Sequence, residues 1–167
     1  LQAMADPELF GDTFTGDSWD TWRAVLSGAF ALPMTEDQQQ IFKHVAGGRQ
    51  PPAKRVSELI AIAGRRSAKT QTAAATAVYL ATIGAELDGT LSRLSTGERG
   101  VIAILAVDRQ QAKVAMQYVT GMIEASPIFS GMVERIGKEA IDLRNRVSIE
   151  VQTSSYRAIR GRTLIAA

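Results

Sequence analysis

A chain of 167 residues with 46% hydrophobic content is long enough for one domain with a real core and too short for two full ones. It has no cysteine and one histidine, His44, which excludes disulfides and thiolate metal sites and leaves little for a histidine-based zinc site. Charged residues such as Arg65, Arg66 and Lys69 break up the most apolar region, so no stretch reaches the roughly eighteen apolar residues needed to span a bilayer. Residues 1–30 lack the basic start and apolar run of a secretory signal, and the expectation is a reducing, cytoplasmic setting. The formal net charge of +2 is unevenly spread: acids predominate before Gln50 and bases after it. Basic clusters at Arg65, Arg66 and Lys69 and at Arg157, Arg160 and Arg162 suggest anionic ligands; a solvated arginine face explains the second cluster equally well.

In chain order, residues 1–16 have no periodicity and read as an irregular arm. Asp17 or Ser18 then caps an amphipathic helix with Trp19, Trp22, Val25, Leu26, Ala29 and Phe30 at helical spacing, ending near Pro33. Thr35 caps a second helix, EDQQQIFKHVAGG, which Gly47 and Gly48 close. RQPPAKR is a stiff linker. SELIAIAG reads as a short strand covered on both faces, and SAKTQTAAATAVYLATIG as an alanine-rich helix ended by Gly84.

After the polar loop DGTLSRLSTGERG comes a second buried strand, VIAILAV, with a partner helix from about Arg109 to Ala125 and a shorter helix, SPIFSGMVERIG, after the Ser126-Pro127 break. IDLRNRVSIEVQT alternates with period two around a turn at Arg144-Asn145, which makes Asp142 and Glu150 solvent-facing members of a hairpin. TLIAA begins a further strand. This order predicts an α/β fold with a mostly parallel sheet.

The turn between SELIAIAG and its helix reads AGRRSAKT, residues 63–70. A phosphate-binding loop needs a strand, inward-turned amides, a helix N-terminus, a lysine for the outer phosphates and a hydroxyl for magnesium. Lys69 and Thr70 match G-x-x-x-x-G-K-[ST], whereas both glycine positions hold alanine and Gly64 falls one place late. Ala68 is acceptable there if the chain is already helical. The alternative is a strand-to-helix turn with merely solvated basic residues. Met116, Tyr118, Val119, Met122 and Ile123 read as helix core, and His44 as a surface or capping histidine.

AGRRSAKT, with LPMTEDQQQIF upstream and ILAVDRQQAKVAMQYVTGMIEASP and IDLRNRVSIEVQTSSYRAIRGRTLIAA downstream, resembles the ATPase domain of the large terminase subunit of tailed bacteriophages over nearly the whole chain. The resemblance implies a P-loop NTPase-type three-layer fold, with residues 1–55 a helical arm carrying an adenine-reading segment and residues 56–167 an incomplete ATPase core. It implies ATP and Mg2+ as cofactors: Lys69 on the β- and γ-phosphates, Thr70 on the metal, and the amides of Gly64, Arg65, Arg66, Ser67, Ala68 and Lys69 around the phosphates. Arg65 or Arg66, with Arg65 preferred, would sense the γ-phosphate. Gln38 would read the adenine edge, with Gln39 and Gln40 as neighbours open to misregistration.

Arg109 and Lys113 would touch DNA phosphates, although Asp108 followed by polar residues is equally the start of an ordinary capped helix. The implied activity is ATP-driven translocation of double-stranded DNA into a procapsid in the bacterial cytoplasm. The implied partners are the portal protein, the small terminase subunit and further copies in a ring, with no membrane involved. In such ATPases an Asp-Glu pair follows the strand begun by TLIAA, and neither that pair nor a nuclease domain is present, so the chain alone is expected to hydrolyse ATP weakly or not at all. Two other readings stay open: a helicase-like nucleic-acid-dependent ATPase, and a non-catalytic assembly or DNA-binding module.

Overall fold

The structure, a computed structural model, describes Met4, Asp6, residues 8–153 and residues 161–167. It divides into two compact units, Leu1–Ser67 and Ala68–Ala167.

In the first unit, 3-10 turns at Gly11–Phe14 and Asp17–Trp19 lead into helix α1, Asp20–Ala29. Phe10, Phe14 and Trp19 meet edge to face, and the Arg23 guanidinium donates to the carbonyls of Phe14 and Gly16 and to Asp20, tying the arm to the helix. Neither Asp17 nor Ser18 supplies a side-chain cap. Helix α2, Glu36–Val45, opens on a full capping box: Thr35 Oγ1 accepts from the Gln38 amide, and Gln38 Oε1 accepts from the Thr35 amide. Gly47 and Gly48, both at positive φ, end it as expected. Phe42 of α2 lies against Gly28 of α1, where an added Cβ would come within 2.3 Å of the ring.

Residues 57–64 depart from expectation. They form no strand, and Ile60 and Ile62 are 78% and 101% exposed. Composition favoured a strand, but a strand is stable only when its backbone groups find a ladder, and none of the described strands pairs with this segment.

The second unit holds α3, Lys69–Tyr79, continuing as a π-turn at Leu80–Gly84 and a last helical turn at Ala85–Leu87. The polar loop after it contains a short helix, α4, Thr90–Arg93. Strand β1, Gly100–Ala106, is followed by α5, Arg109–Ala125, and α6, Pro127–Gly131. Then comes β2, Val133–Ile136, in residues expected to continue the SPIFSGMVERIG helix, which instead ends at Gly131 because this stretch pairs with the next strand, β3, Ala140–Leu143; β4, Val147–Thr153, and β5, Thr163–Ala166, follow. The sheet runs β2-β3-β4-β1-β5. β1 pairs in parallel with β4 and β5, while β2/β3 and β3/β4 are antiparallel, so the sheet is mixed and not mostly parallel.

Small side chains let α3 bury Ala74, Ala75, Ala77 and Val78, and α5 turns Ala115, Met116, Val119, Met122 and Ile123 inward. Tyr118, read as core, is instead partly exposed on the outer side of α5. Glu150 also corrects the reading. β4 has both edges paired, by β3 and β1, and α5 packs against it; Glu150 is buried and pairs with Arg162 at 3.0 Å, while Gln152 donates to it. Asp142, on β3, is largely covered as well, and it accepts from Ser148 and Arg135.

Two predictions follow from these contacts. Gly28→Ala should cost about 1–3 kcal/mol in urea unfolding, because the added methyl overlaps the Phe42 ring and forces it to move. At Asp142, burial by itself would raise the carboxyl pKa, but the Ser148 hydroxyl and the Arg135 guanidinium outweigh it and hold the group below its ordinary 3.8. The stabilisation is therefore present above that value and lost as pH falls through the lowered one. Ser148→Ala should destabilise at neutral pH, with the gap to the parent closing in acid-unfolding curves below about pH 4.

Candidate functional site

The basic loop is set by local backbone geometry. Its left-handed residues are Arg66 at φ 60° and Ala68 at φ 57°, not Gly64. Gly64 lies outside the positive-φ set, and a Cβ added there would meet nothing within 4 Å. Ala68 is the residue immediately before α3, outside the helix, so the expectation that it is already helical is corrected. It holds the conformation that glycine adopts without cost and that an L-residue adopts at about 1–2 kcal/mol. Non-glycine residues in this region are held there by their surroundings and mark places where backbone direction matters.

Within the first unit, two contacts hold the loop. Ser67 Oγ donates to the Gly64 carbonyl at 2.8 Å, and the Trp22 indole N–H donates to the Ser67 carbonyl at 2.7 Å. The Trp22 contact was not readable from sequence, since a tryptophan at helical spacing announces only an apolar face. Among the described residues, the N–H groups of Arg65, Arg66 and Ala68 donate to no backbone carbonyl.

Helix α3 begins with no side-chain cap and no acidic residue in its first turn. α1 and α4 also lack a side-chain cap, whereas α2 has its capping box, Asp108 Oδ1 accepts from the Gln111 amide at the start of α5, and Ser126 caps α6. An uncapped N-terminus leaves amide donors and the positive end of the helix dipole for an anion. Arg65, Arg66 and Lys69 are exposed there, and Thr70 is half-buried. One turn further on, Thr72 Oγ1 is buried and has no hydrogen-bond partner among the described residues.

Gln38 is half-buried on the first turn of α2, with its amide oxygen engaged by Thr35; its NH2 group is the part left for a ligand. Gln39 donates to the Met34 carbonyl. Asp108 is the capping aspartate that the sequence allowed, and Arg109 and Lys113 stand exposed one turn apart on α5. Arg157 and Arg160 lie outside the described residues, and Arg162 is engaged by Glu150.

No protein-family model, curated protein or solved structure matches this chain. Among the described residues there is no cluster of three or more histidine, aspartate or glutamate side chains fit to hold a metal by itself, and no helix long and apolar enough to cross a membrane.

Loop geometry leads to a paired prediction. Ala68→Gly should raise the unfolding free energy by up to about 1 kcal/mol by removing the left-handed penalty. Gly64→Ala should stay within about 0.5 kcal/mol of the parent in the same urea titration.

Proposed function

We propose that this chain is the ATP-binding part of a DNA-packaging terminase motor, built on a P-loop NTPase-type core. The observation that carries the reading is the start of α3: an uncapped helix N-terminus, entered through a left-handed Ala68 and opening on Lys69-Thr70. An anion there would receive the loop amides, and the exposed Lys69 ammonium would reach outer phosphate oxygens. Thr70 would place a hydroxyl on Mg2+, which would supply charge neutralisation between the phosphates.

Arg65 is the residue proposed for the γ-phosphate, with Arg66 beside it, and the Gln38 NH2 group is proposed to donate to the adenine edge. In this reading the motor acts on double-stranded DNA in the bacterial cytoplasm, as a ring of copies with a portal protein and a small terminase subunit at the procapsid. A second reading, a non-catalytic module, is favoured by one observation: residues 57–64, which would deliver the loop from a sheet, are not a strand.

Titration with a fluorescent ATP analogue and Mg2+ separates the two readings. Lys69→Ala should weaken binding at least about tenfold, the equivalent of 1.4 kcal/mol and within the range for a charge-assisted hydrogen bond. Equal affinity of the two proteins, or no saturable binding by the parent, removes the nucleotide site.

A further inference from the structure

A cleft of about 740 Å³ lies wholly within the second unit, between α5, the C-terminal end of β4 and the β2–β3 turn. α5 leaves the sheet at the end where β1 and β4 finish together, with Ala106 paired to Thr153. In open α/β sheets, the carboxyl ends of parallel strands are where ligands collect.

Three cations line this cleft: Arg109 and Lys113 from the first turns of α5, and Lys138 from the β2–β3 turn. All three are exposed, and among the described residues none is in an ion pair. The turn carrying Lys138 is held firmly, because Gly137 N–H donates to the Ala140 carbonyl and Val151 N–H donates to the Glu139 carbonyl, each at 2.8 Å. Gln152 and Thr153 add neutral hydrogen-bonding groups to the lining.

Glu124 and Glu139 also line the cleft. Glu124 is fifteen residues along α5 from Arg109, roughly 22 Å at 1.5 Å per residue, so it leaves the cationic end intact. Glu139 offsets part of the Lys138 charge and limits the net attraction. Asp108, although it caps α5, is not in the lining.

We propose that this cleft grips the phosphodiester backbone of duplex DNA, with Lys138 of the β2–β3 turn a contact in addition to Arg109 and Lys113 of α5. Arg109 and Lys113 stand one helical turn apart and present charge along a line, which suits successive phosphates better than one compact anion. No aromatic side chain is among the described lining residues to stack against the bases of a single strand. The choice of DNA rests on the translocation reading above. The site itself shares no residue with the nucleotide loop, so either can fail alone.

The test is fluorescence anisotropy of a labelled 20-base-pair duplex, without nucleotide, over a series of salt concentrations, comparing the parent chain with Lys138→Gln and with Arg109→Gln/Lys113→Gln. Lys138 sits in an exposed turn, so its variant should fold, which circular dichroism checks. The expected result is weaker binding by Lys138→Gln and a log–log salt slope shallower by about 0.9, with about twice that change for the double variant. An unchanged slope for Lys138→Gln overturns the proposal, as does absence of duplex binding at low salt. Tighter binding of oligo-dT than of the duplex, or displacement of the duplex by polyglutamate at equal charge concentration, also overturns it. ATP-analogue binding by these variants should match the parent; a parent chain that binds the ATP analogue but not the duplex overturns this cleft and leaves the nucleotide reading in place.

Discussion

The second unit depends on the parallel pairing of β1 with β4, in register from Gly100 opposite Val147 to Ala106 opposite Thr153. A strand with apolar residues on both faces is stable only when both faces are covered and both edges paired. β1 meets the second condition with β4 on one side and β5 on the other. Because β4 and β1 are parallel, the chain must travel back between them, and α5, α6 and the β2–β3 hairpin make that journey. The same pairing brings the ends of β1 and β4 to one edge, where α5 starts and the cationic cleft opens. Fold and cleft therefore share one cause.

A second constraint acts on the loop before α3. Positive φ at Arg66 and Ala68 reverses the chain over a few residues, and neither position is a glycine. The Trp22 indole and the Ser67 hydroxyl hold the preceding carbonyls of the first unit in place. Strain in the backbone is thus opposed by hydrogen bonds that do not themselves use the amides of Arg65, Arg66 and Ala68.

The buried charge at Glu150 shows how strand environment overrides pattern. Alternation along VSIEVQT places Glu150 on a polar face if the strand belongs to a hairpin alone. In the folded unit β4 is instead an inner strand against which α5 packs, Glu150 is buried, and its carboxylate needs Arg162 and Gln152 as partners. Residues 57–64 illustrate the opposite case. Their apolar composition is that of a strand, but no described strand offers them a ladder, and they remain exposed.

Local chemistry was legible in the sequence. The start and end of α2 and α5, the Ser126-Pro127 helix start, the Arg144-Asn145 turn and the strands at VIAILAV and TLIAA follow from caps, breakers and periodicity acting over a few residues. Lys69-Thr70 at a helix start and the exposed pair Arg109 and Lys113 were legible for the same reason. What depends on partners distant in the chain was not: the mixed pairing of the sheet, the enclosure of Glu150, the bond from Trp22 to Ser67, and the meeting of Lys138 with Arg109 and Lys113 around one cleft. Helix periodicity is a property of neighbours in sequence, whereas strand pairing, burial and clefts arise only when separate segments compete for the same backbone groups and the same apolar surface; that competition is resolved in three dimensions alone.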